Sequence, residues 1–419
     1  GVCYRLWTER EQVSLAARRP PEILDADLTS LVLELALWGV ADPSELSWLS
    51  PPPAASITPA LELLIRLGAL NASGHITDHG RQMAELALHP RLSHMLLKAG
   101  PLGLTDLACD LAALLGERDL LRGPNGRQQA DLRSRLDVLH GQHDHSSGAT
   151  IDRGTYHRVT RTADMWRQQL ARRSVKAAAP SGRNQHAAGI LLALAYPDRI
   201  AQRQEGSDGR YLLANGRGAL FATPDALRVE PYLAIAELDG GTQWAKIGLA
   251  APISLAEIET LYADQILESE AVSWDEKTQA VQALRQRRLG GLILSQRNLS
   301  KPDPALIATA LLQGVRQAGV SQLAWTPELR QWQARVQFLR RTDGRGSPWP
   351  DLSDEQLSQT LEQWLSPFLQ SITTLDRVKR MPLDEPLHTL LSWDLQRQLD
   401  RLAPTHLTVP SGSNIRVDY

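Results

Sequence analysis

The stretch Ala69-Leu70-Asn71-Ala72-Ser73-Gly74-His75-Ile76-Thr77 decides how the first part of this chain folds. Two short apolar pieces flank a turn of Asn, Ser and Gly, and that pattern predicts a small β-hairpin. The segments on its N-terminal side predict the kind of unit to which the hairpin belongs.

Two helices are predicted before this hairpin. Asp27 can cap the first, whose apolar residues between positions 28 and 38 follow the 3.6-residue period of a helix. Thr58 can cap the second, with Pro59 in its first position. A glycine follows each predicted helix, as is typical of helix C-termini. Helix, helix and hairpin in this order are typical of a winged helix.

Apolar spacing predicts a helical bundle over residues 78–140, with short turns and a break at Pro90. A polar loop is predicted over residues 141–154 and a further helix over residues 156–178.

Residues 190–255 have a different pattern, because short apolar runs alternate with Gly, Asp and Asn turns. Five strands are predicted from these runs: Ile190–Ala195, Arg210–Ala214, Gly218–Ala222, Tyr232–Leu238 and Trp244–Ala250. Five such strands favour a small barrel, and the OB-fold is the commonest five-stranded choice.

Beyond the barrel, a hairpin is predicted over residues 278–297, around the pair Gly290-Gly291. Residues 303–402 are expected to be mostly helical, and residues 405–419 are strand-like again. At the other end, residues 2–7 read like a strand entered in the middle of a sheet. Together with the missing initial Met, this predicts a fragment or a processed product.

Composition indicates a globular chain of two to four domains, with 419 residues, 42% hydrophobic and 22% charged. Cys3 and Cys109 lie far apart and outside any zinc-binding spacing, so two reduced thiols in a cytosolic protein are expected. No stretch approaches 18 uninterrupted apolar residues, so no membrane span is expected.

The motifs that carry common enzyme chemistry are absent from the sequence. There is no GxxxxGK[ST] loop and no DExH box, so nothing in this chain is expected to hold ATP phosphates or Mg²⁺. GxSxG, HExxH and GxGxxG are also missing. No catalytic residue is predicted.

The spacing of the histidines suggests two candidate metal sites. His75 and His79 could share a helical face, although a hairpin-to-helix boundary separates them. His140, His143 and His145 could together bind zinc, which favours imidazole nitrogen. The alternative is that all five are ordinary polar residues, and no metal site is predicted.

Positive charge is segregated although the net charge is only −2. Residues 117–183 hold 13 Lys/Arg against 7 Asp/Glu, residues 280–345 hold 11 against 3, and residues 346–419 are acidic. Such basic segments are typical of surfaces that bind a phosphate backbone. One alternative is that these charges lie on helix faces and are paired within the protein. The other is that the many arginines reflect a gene rich in G and C. Tyr211, Phe221 and Tyr232 could stack on bases or belong to the barrel core.

Several segments resemble the region that follows the motor in DEAH/RHA helicases. They are Pro21–Leu24, Leu31–Pro43, Pro51–Pro53, Leu67–Leu70, Ile76–Ala84 and His89–Leu92. The bacterial HrpB branch is the most similar, through Glu117–Gly123, Tyr196–Ala201 and Tyr211–Ala219.

The resemblance implies a multidomain, mainly α fold with a small β-barrel. The implied parts are the last strand and exit of a RecA-like lobe (1–20), a winged helix (21–80), a helical ratchet bundle (81–189), an OB-fold-like barrel with a hairpin extension (190–299) and a mixed α/β HrpB-type C-terminal domain (300–419).

The resemblance also implies a function, that of gripping single-stranded RNA beside two RecA-like motor lobes that move 3′ to 5′. ATP and Mg²⁺ would bind those lobes and not this chain, and a cytoplasmic location is expected. Charge and domain position together predict the residues that contact phosphate: Arg118, Arg122, Arg127, Arg161, Arg172, Arg173, Arg199, Arg203, Arg210 and Arg217.

Two other functions remain open. The winged helix and the Trp-rich C-terminal region could instead dock a protein partner, with RNA incidental. A metal hydrolase using the histidines at 140–145 is the third reading.

Overall fold

A computed structural model describes residues 2–15, 20–40, 42–122, 129–142, 150–173, 186–240, 244–410 and 412–419. The chain forms two compact units. The first comprises Gly1–Ile266 and Leu289–Leu292, and the second comprises Leu267–Arg288 and Ile293–Tyr419. No helix among the described residues has the length and apolar character that a membrane crossing needs.

The first unit begins with residues that form no strand, so the strand prediction for residues 2–7 is wrong. Val2, Tyr4 and Leu6 are exposed, and a strand needs a neighbouring strand to receive its backbone hydrogen bonds. The helices that follow are α1 (Glu9–Ser14), α2 (Thr29–Trp38), α3 (Ala54–Arg66) and α4 (Asp78–Ala84).

Helix α2 has the predicted ends. The Asp27 carboxylate accepts a hydrogen bond from the Thr29 N–H at 2.8 Å, and Gly39 ends the helix with a φ of 98°. Helix α3 begins earlier than predicted, so Thr58 and Pro59 lie inside it. Ile57 packs against the winged-helix core, and burying that turn favours a helix that starts directly after the prolines.

The predicted hairpin is confirmed as a small pair of extended segments. Leu70 and Ile76 form a β-bridge, and the Asn71 side chain accepts from the N–H groups of Ser73 and His75 at 3.0 Å. Helix α4 lies against this hairpin. A Cβ on Gly80 would stand 2.2 Å from the Ala69 carbonyl oxygen, so only glycine allows this approach.

Further helices build a bundle: α5 (Pro90–Ala99), α6 (Thr105–Gly116), α7 (Arg133–Leu139), α8 (Arg153–Arg172) and α9 (Ala187–Ala195). The short strands β1 (Leu121–Arg122) and β2 (Thr150–Ile151) pair with each other. Helix α8 buries the predicted apolar stripe, which includes Val159, Ala163 and Trp166, and it packs against α6.

The predicted strand Ile190–Ala195 is wrong, because these residues belong to helix α9. Leu191, Leu192 and Ala193 are fully buried, since α5 and two barrel strands surround the helix. A helix buried on all sides has no polar face, so its sequence is an unbroken apolar run like that of a buried strand.

The remaining barrel strands are confirmed, and a different segment supplies the first one. The strands are β3 (Ile200–Arg203), β4 (Arg210–Leu213), β5 (Gly218–Leu220), β6 (Tyr232–Leu238) and β7 (Trp244–Pro252). They close in the order β3-β4-β5-β7-β6, with β5 and β7 parallel and the other pairs antiparallel. Helix α10 (Leu255–Leu261) follows.

A three-stranded antiparallel sheet opens the next part of the chain, in the order β10-β9-β8. Its strands are β8 (Leu267–Asp275), β9 (Ala280–Leu289) and β10 (Leu292–Asn298). The turn at Gly290-Gly291 confirms the predicted hairpin, whereas strand β8 is an addition.

The second unit is otherwise mainly helical, as predicted, around buried Trp349 and Trp364. Its helices are α11 (Pro304–Ala318), α12 (Pro327–Asp343), α13 (Asp354–Gln359), α14 (Leu361–Trp364), α15 (Leu375–Lys379), α16 (Asp384–His388) and α17 (Trp393–Leu402). Strands β11 (His406–Thr408) and β12 (Asn414–Arg416) pair at the end, where strands were predicted.

Candidate nucleic-acid interface

Three neighbouring barrel strands present a polar and aromatic outward face. The strand register aligns Arg210 with Leu220 and Lys246 in one row across β4, β5 and β7. The adjacent row holds Gly218 and Trp244. Because side chains alternate along a strand, the residues between these positions point into the barrel core. We call these two rows the outward barrel face.

Trp244 is the largest side chain on this face, and it is half-buried. Its ring lies so close to Gly218 that a Cβ there would stand 2.5 Å from a ring carbon. The Arg210 guanidinium carbon lies 5.3 Å from the ring centroid, within cation–π range. Sequence reasoning missed Trp244, although it shares the outward-facing alternation with Lys246.

Arg203 is exposed at the end of β3, beside a cavity of about 620 Å³ under the turn between β3 and β4. Gln202 and Tyr232 line the same cavity, and the Gln202 amide donates to the Tyr232 hydroxyl at 3.2 Å. Arg217 is exposed in the turn between β4 and β5. Four of the predicted arginines therefore belong to the barrel or its turns: Arg199, Arg203, Arg210 and Arg217.

Helix α8 carries a second exposed basic surface. Arg161 and Arg172 are exposed and have no ion pair with any carboxylate in the described ranges. His157 and Arg161 line a shallow groove of about 510 Å³ on one side of α8. Arg118, directly after α6, is likewise exposed, whereas Arg127 lies outside the described residues.

Other predicted arginines have carboxylate or carbonyl partners. The Arg122 guanidinium lies 2.7 Å from the Asp152 carboxylate, and that of Arg173 lies 3.2 Å from the Glu85 carboxylate. Arg199 donates to the Ala236 carbonyl oxygen at 2.7 Å, and burial lowers the pKa of its guanidinium. These contacts hold secondary structure elements together and leave less of each guanidinium for a ligand.

Arginines of the segment 280–345 are also paired within their own unit. Arg285 contacts Glu270 at 2.9 Å on the three-stranded sheet. Arg330 contacts Asp354 at 2.7 Å, and buried Arg335 contacts Asp400 at the same distance. Internal pairing therefore accounts for much of the positive charge in this segment.

The three candidate stacking residues of the barrel are buried. Tyr211 is fully buried, and its hydroxyl donates to the carbonyl oxygens of Leu227 and Glu230. Phe221 packs edge-on against Tyr211, and both rings belong to the barrel core. Tyr232 is buried outside that core and lines the cavity beside Arg203.

A buried ion pair connects helix α5 to the chain that enters the barrel. Arg91 donates to both carboxylate oxygens of Asp198, at 2.6 and 3.0 Å, and to the Ala195 carbonyl oxygen at 3.1 Å. The Tyr196 ring lies between the guanidinium groups of Arg91 and Arg199, at 5.0 and 4.9 Å. Burial opposes ionisation of Asp198, but Arg91 outweighs it and keeps the pKa of this carboxyl below its usual value.

The candidate histidine clusters are not assembled among the described residues. His79 contacts His94 rather than His75, with 2.8 Å between ring nitrogens. His140 lies 3.2 Å from the Asp110 carboxylate, while His143 and His145 lie outside the described residues. Within the described ranges, no three His, Cys, Asp or Glu side chains stand together as a metal site would require.

Known families match three parts of the chain. The winged-helix part of the helicase associated domain (HA2) matches residues 60–88. The connector region of the ATP-dependent RNA helicase HrpB matches residues 265–299, and the family described as ATP-dependent helicase C-terminal, HrpB_C, matches residues 364–419.

Curated relatives and a solved structure agree with these matches. The chain is 33% identical to the ATP-dependent RNA helicase HrpB of Escherichia coli over 427 aligned positions, which cover all of this chain and 48% of that protein. It is 36% identical over 135 residues to the probable ATP-dependent RNA helicase DHR2 of Saccharomyces cerevisiae, covering 32% of this chain and 18% of that one.

A crystal structure of the E. coli DExH-box NTPase HrpB superimposes with a TM-score of 0.53 and 31% identity, over 98% of this chain and 47% of that one. The chain thus spans about half the length of the E. coli protein. By these matches the chain belongs to the HrpB type of the DEAH/RHA helicase family and corresponds to its C-terminal region.

Proposed function

We propose that this chain is the RNA-gripping region of an ATP-dependent 3′-to-5′ RNA helicase. Single-stranded RNA would lie along the exposed arginines of α8 and across the outward barrel face. The observation that carries the proposal is that Arg161, Arg172 and Arg210 are exposed and form no ion pair with any described carboxylate. Unpaired guanidinium groups can chelate phosphate oxygens without first breaking a protein contact.

The topology of the barrel supports this proposal. Numbered from β3, the strands close in the order 1-2-3-5-4, as in an OB-fold, which binds single strands on its second and third strands. In this chain those strands are β4 and β5, which contribute Arg210 and Gly218 to the outward barrel face, whereas Trp244 comes from β7, the strand beside β5. The relatives named above are ATP-dependent RNA helicases, which makes RNA the preferred polymer.

We propose that ATP and Mg²⁺ bind outside this chain. The sequence has no phosphate-binding P-loop, and the described residues hold no metal-ligand cluster. We propose that both bind RecA-like lobes elsewhere in the longer protein, that these lobes are partners of this chain, and that the protein is cytoplasmic.

Fluorescence anisotropy with a labelled single-stranded RNA at several salt concentrations tests the proposal. We expect binding that weakens with salt, because phosphate contacts release counterions. Changing both Arg161 and Arg172 to Gln should lower the slope of log affinity against log salt by about 1.4, at roughly 0.7 per contact. Arg397→Gln, an exposed arginine of α17, is the matched control.

Two results would refute RNA gripping by this chain. One is no binding at low salt, and the other is binding whose salt slope is unchanged in the double variant. Either result would favour the second candidate function, a scaffold for a protein partner. Exposed Trp38 and Trp393 favour that function. A pull-down that survives nuclease and is lost on Trp393→Ala would support it.

A further inference from the structure

We infer that Trp244 is a stacking site for one base of a single strand, and that Arg210 holds a phosphate beside that base. The inference rests on the proposed function and deepens it. It assigns a base contact to the barrel, whereas the arginines of α8 are proposed above as phosphate contacts.

The Trp244 ring packs against backbone at a position where only glycine leaves room for it. One ring face lies on Gly218, where a Cβ would stand 2.5 and 2.6 Å from two ring carbons. The strand register places Gly218 directly beside Trp244. The pairing of glycine with tryptophan keeps the indole close to the backbone of β5, and the side chain is half-buried. A flat, fixed indole loses little conformational entropy when a base stacks on it.

The positive charge beside the Trp244 ring lies where it could contact the phosphate of a nucleotide whose base stacks on that ring. Arg210 is exposed, reaches the ring of Trp244 at 5.3 Å and has no ion pair among the described residues. Lys246 lies in the same row, but its ammonium is 3.4 Å from the Asp239 carboxylate. We therefore assign the phosphate contact to Arg210. Its guanidinium can leave the ring for a phosphate when a base takes its place.

The chemistry predicts the kind of ligand. An indole stacks on any base, so the site tolerates sequence and requires only that the base be unpaired. The core rings of the barrel cannot supply this contact, since Tyr211 and Phe221 are buried. Of the aromatic residues discussed for the barrel, Trp244 alone offers an accessible ring face.

The test combines a protein change with an RNA change. Affinity for an oligouridine and for the same chain with abasic positions is measured by anisotropy with the full 419-residue chain. For the wild type, we expect oligouridine to bind about 10-fold more tightly than the abasic chain. Trp244→Leu should bind oligouridine about 10-fold more weakly than the wild type does. Its affinity for the abasic chain should be unchanged. Trp244→Phe should recover most of the lost affinity for oligouridine.

Controls separate stacking from other causes. Trp393→Leu removes an exposed tryptophan of α17 and should change neither affinity. Trp244→Leu should keep the wild-type salt slope, whereas Arg210→Gln should lower it by about 0.7. Irradiation of the unaltered protein with 4-thiouridine RNA should crosslink the peptide containing Trp244, which tests the site even if a variant fails to fold.

Equal losses on both RNAs, or a crosslink elsewhere, would overturn the stacking site. If the wild type binds oligouridine with a normal salt slope but shows no preference over the abasic chain, only this inference fails. If the wild type binds neither RNA, the proposed function fails first.

Discussion

The arginines near the barrel fall into two groups that behave oppositely. Arg91 is almost fully buried and donates to both carboxylate oxygens of Asp198. This ion pair holds α5 to the chain that enters the barrel. Arg210 is exposed on the outward barrel face and rests on the Trp244 ring. One guanidinium stabilises the fold, and the other is available to a ligand.

From this difference we expect positive charge to form a binding surface only where no carboxylate neutralises it. Three arginines of the segment 280–345 contact Glu270, Asp354 and Asp400, just as Arg122 and Arg173 of the segment 117–183 contact Asp152 and Glu85. Stability and RNA affinity should therefore respond separately to substitutions in the two groups. Substitutions of Arg91, Arg173 and Arg161 test that separation.

Arg91→Met should produce the largest loss of stability. It leaves the mostly buried Asp198 carboxylate with only the more distant Arg199 guanidinium at 3.9 Å, and breaking a buried ion pair typically costs 3–5 kcal/mol of unfolding free energy. Urea unfolding of the full chain measures the loss. The double variant with Asp198→Asn should recover part of it, because the buried charge is then gone. A loss below about 1 kcal/mol would contradict the assigned role.

His94 should make stability fall in mild acid. Burial, followed by the charges of His79 and Lys98, lowers the pKa of His94 to about 3. The unfolded chain takes up a proton below its ordinary pKa of about 6.5, and the folded chain does not. Unfolding free energy should therefore decrease as pH falls from 6.5, by roughly 2 kcal/mol at pH 5.

Urea unfolding at several pH values measures this dependence. His94→Asn should reduce the slope of stability against pH between 6.5 and 4.5 but not abolish it, because burial also lowers the pKa of the neighbouring His79, to about 4. His75→Asn is the control for removing a histidine, and it should keep the wild-type slope. A His94→Asn variant with the wild-type slope would rule out this origin of the acid sensitivity.

Gly218→Ala should lower the affinity for RNA markedly and the free energy of unfolding only slightly. The added methyl group would overlap the Trp244 ring, which can swing into solvent because it is half-buried on the surface. We expect a stability loss near 1 kcal/mol and a several-fold loss of affinity for oligouridine. Gly216→Ala, in the neighbouring turn, meets no atom within 4 Å and serves as a steric control, although its positive φ adds strain.

Local signals in the sequence were enough to predict the winged helix, but they were not enough to predict helix α9. The hairpin at 69–77 and the glycine after α2 depend on turn chemistry that a few residues determine. Helix α9 is apolar throughout because its neighbours surround it, and that burial is a property of the folded chain. Strand β8 was missed for the opposite reason, since its exposed Glu268 and Glu270 carry no apolar alternation.

The candidate interface could be proposed from the sequence as a region but not as a set of residues. Charge counting identified the segment that contains Arg161 and Arg172. It could not identify the partner of Arg91, which lies 107 residues away. Trp244 was within reach, because Ala245, Ile247 and Leu249 alternate inward and leave it on the outer face. Its pairing with Gly218 depends on strand register, which composition does not reveal.

Arg173→Gln should have the smallest effect. Its guanidinium lies 3.2 Å from the Glu85 carboxylate, on a side chain that is 62% exposed. Ion pairs of this kind contribute roughly 0.2–1 kcal/mol, so stability should fall by no more than that. Because Arg173 is already paired, the salt slope of RNA binding should stay at the wild-type value, in contrast to Arg161→Gln, about three turns earlier within α8. If both substitutions lower the slope equally, pairing with a carboxylate does not decide which arginines contact RNA, and accessibility alone would have to explain the interface.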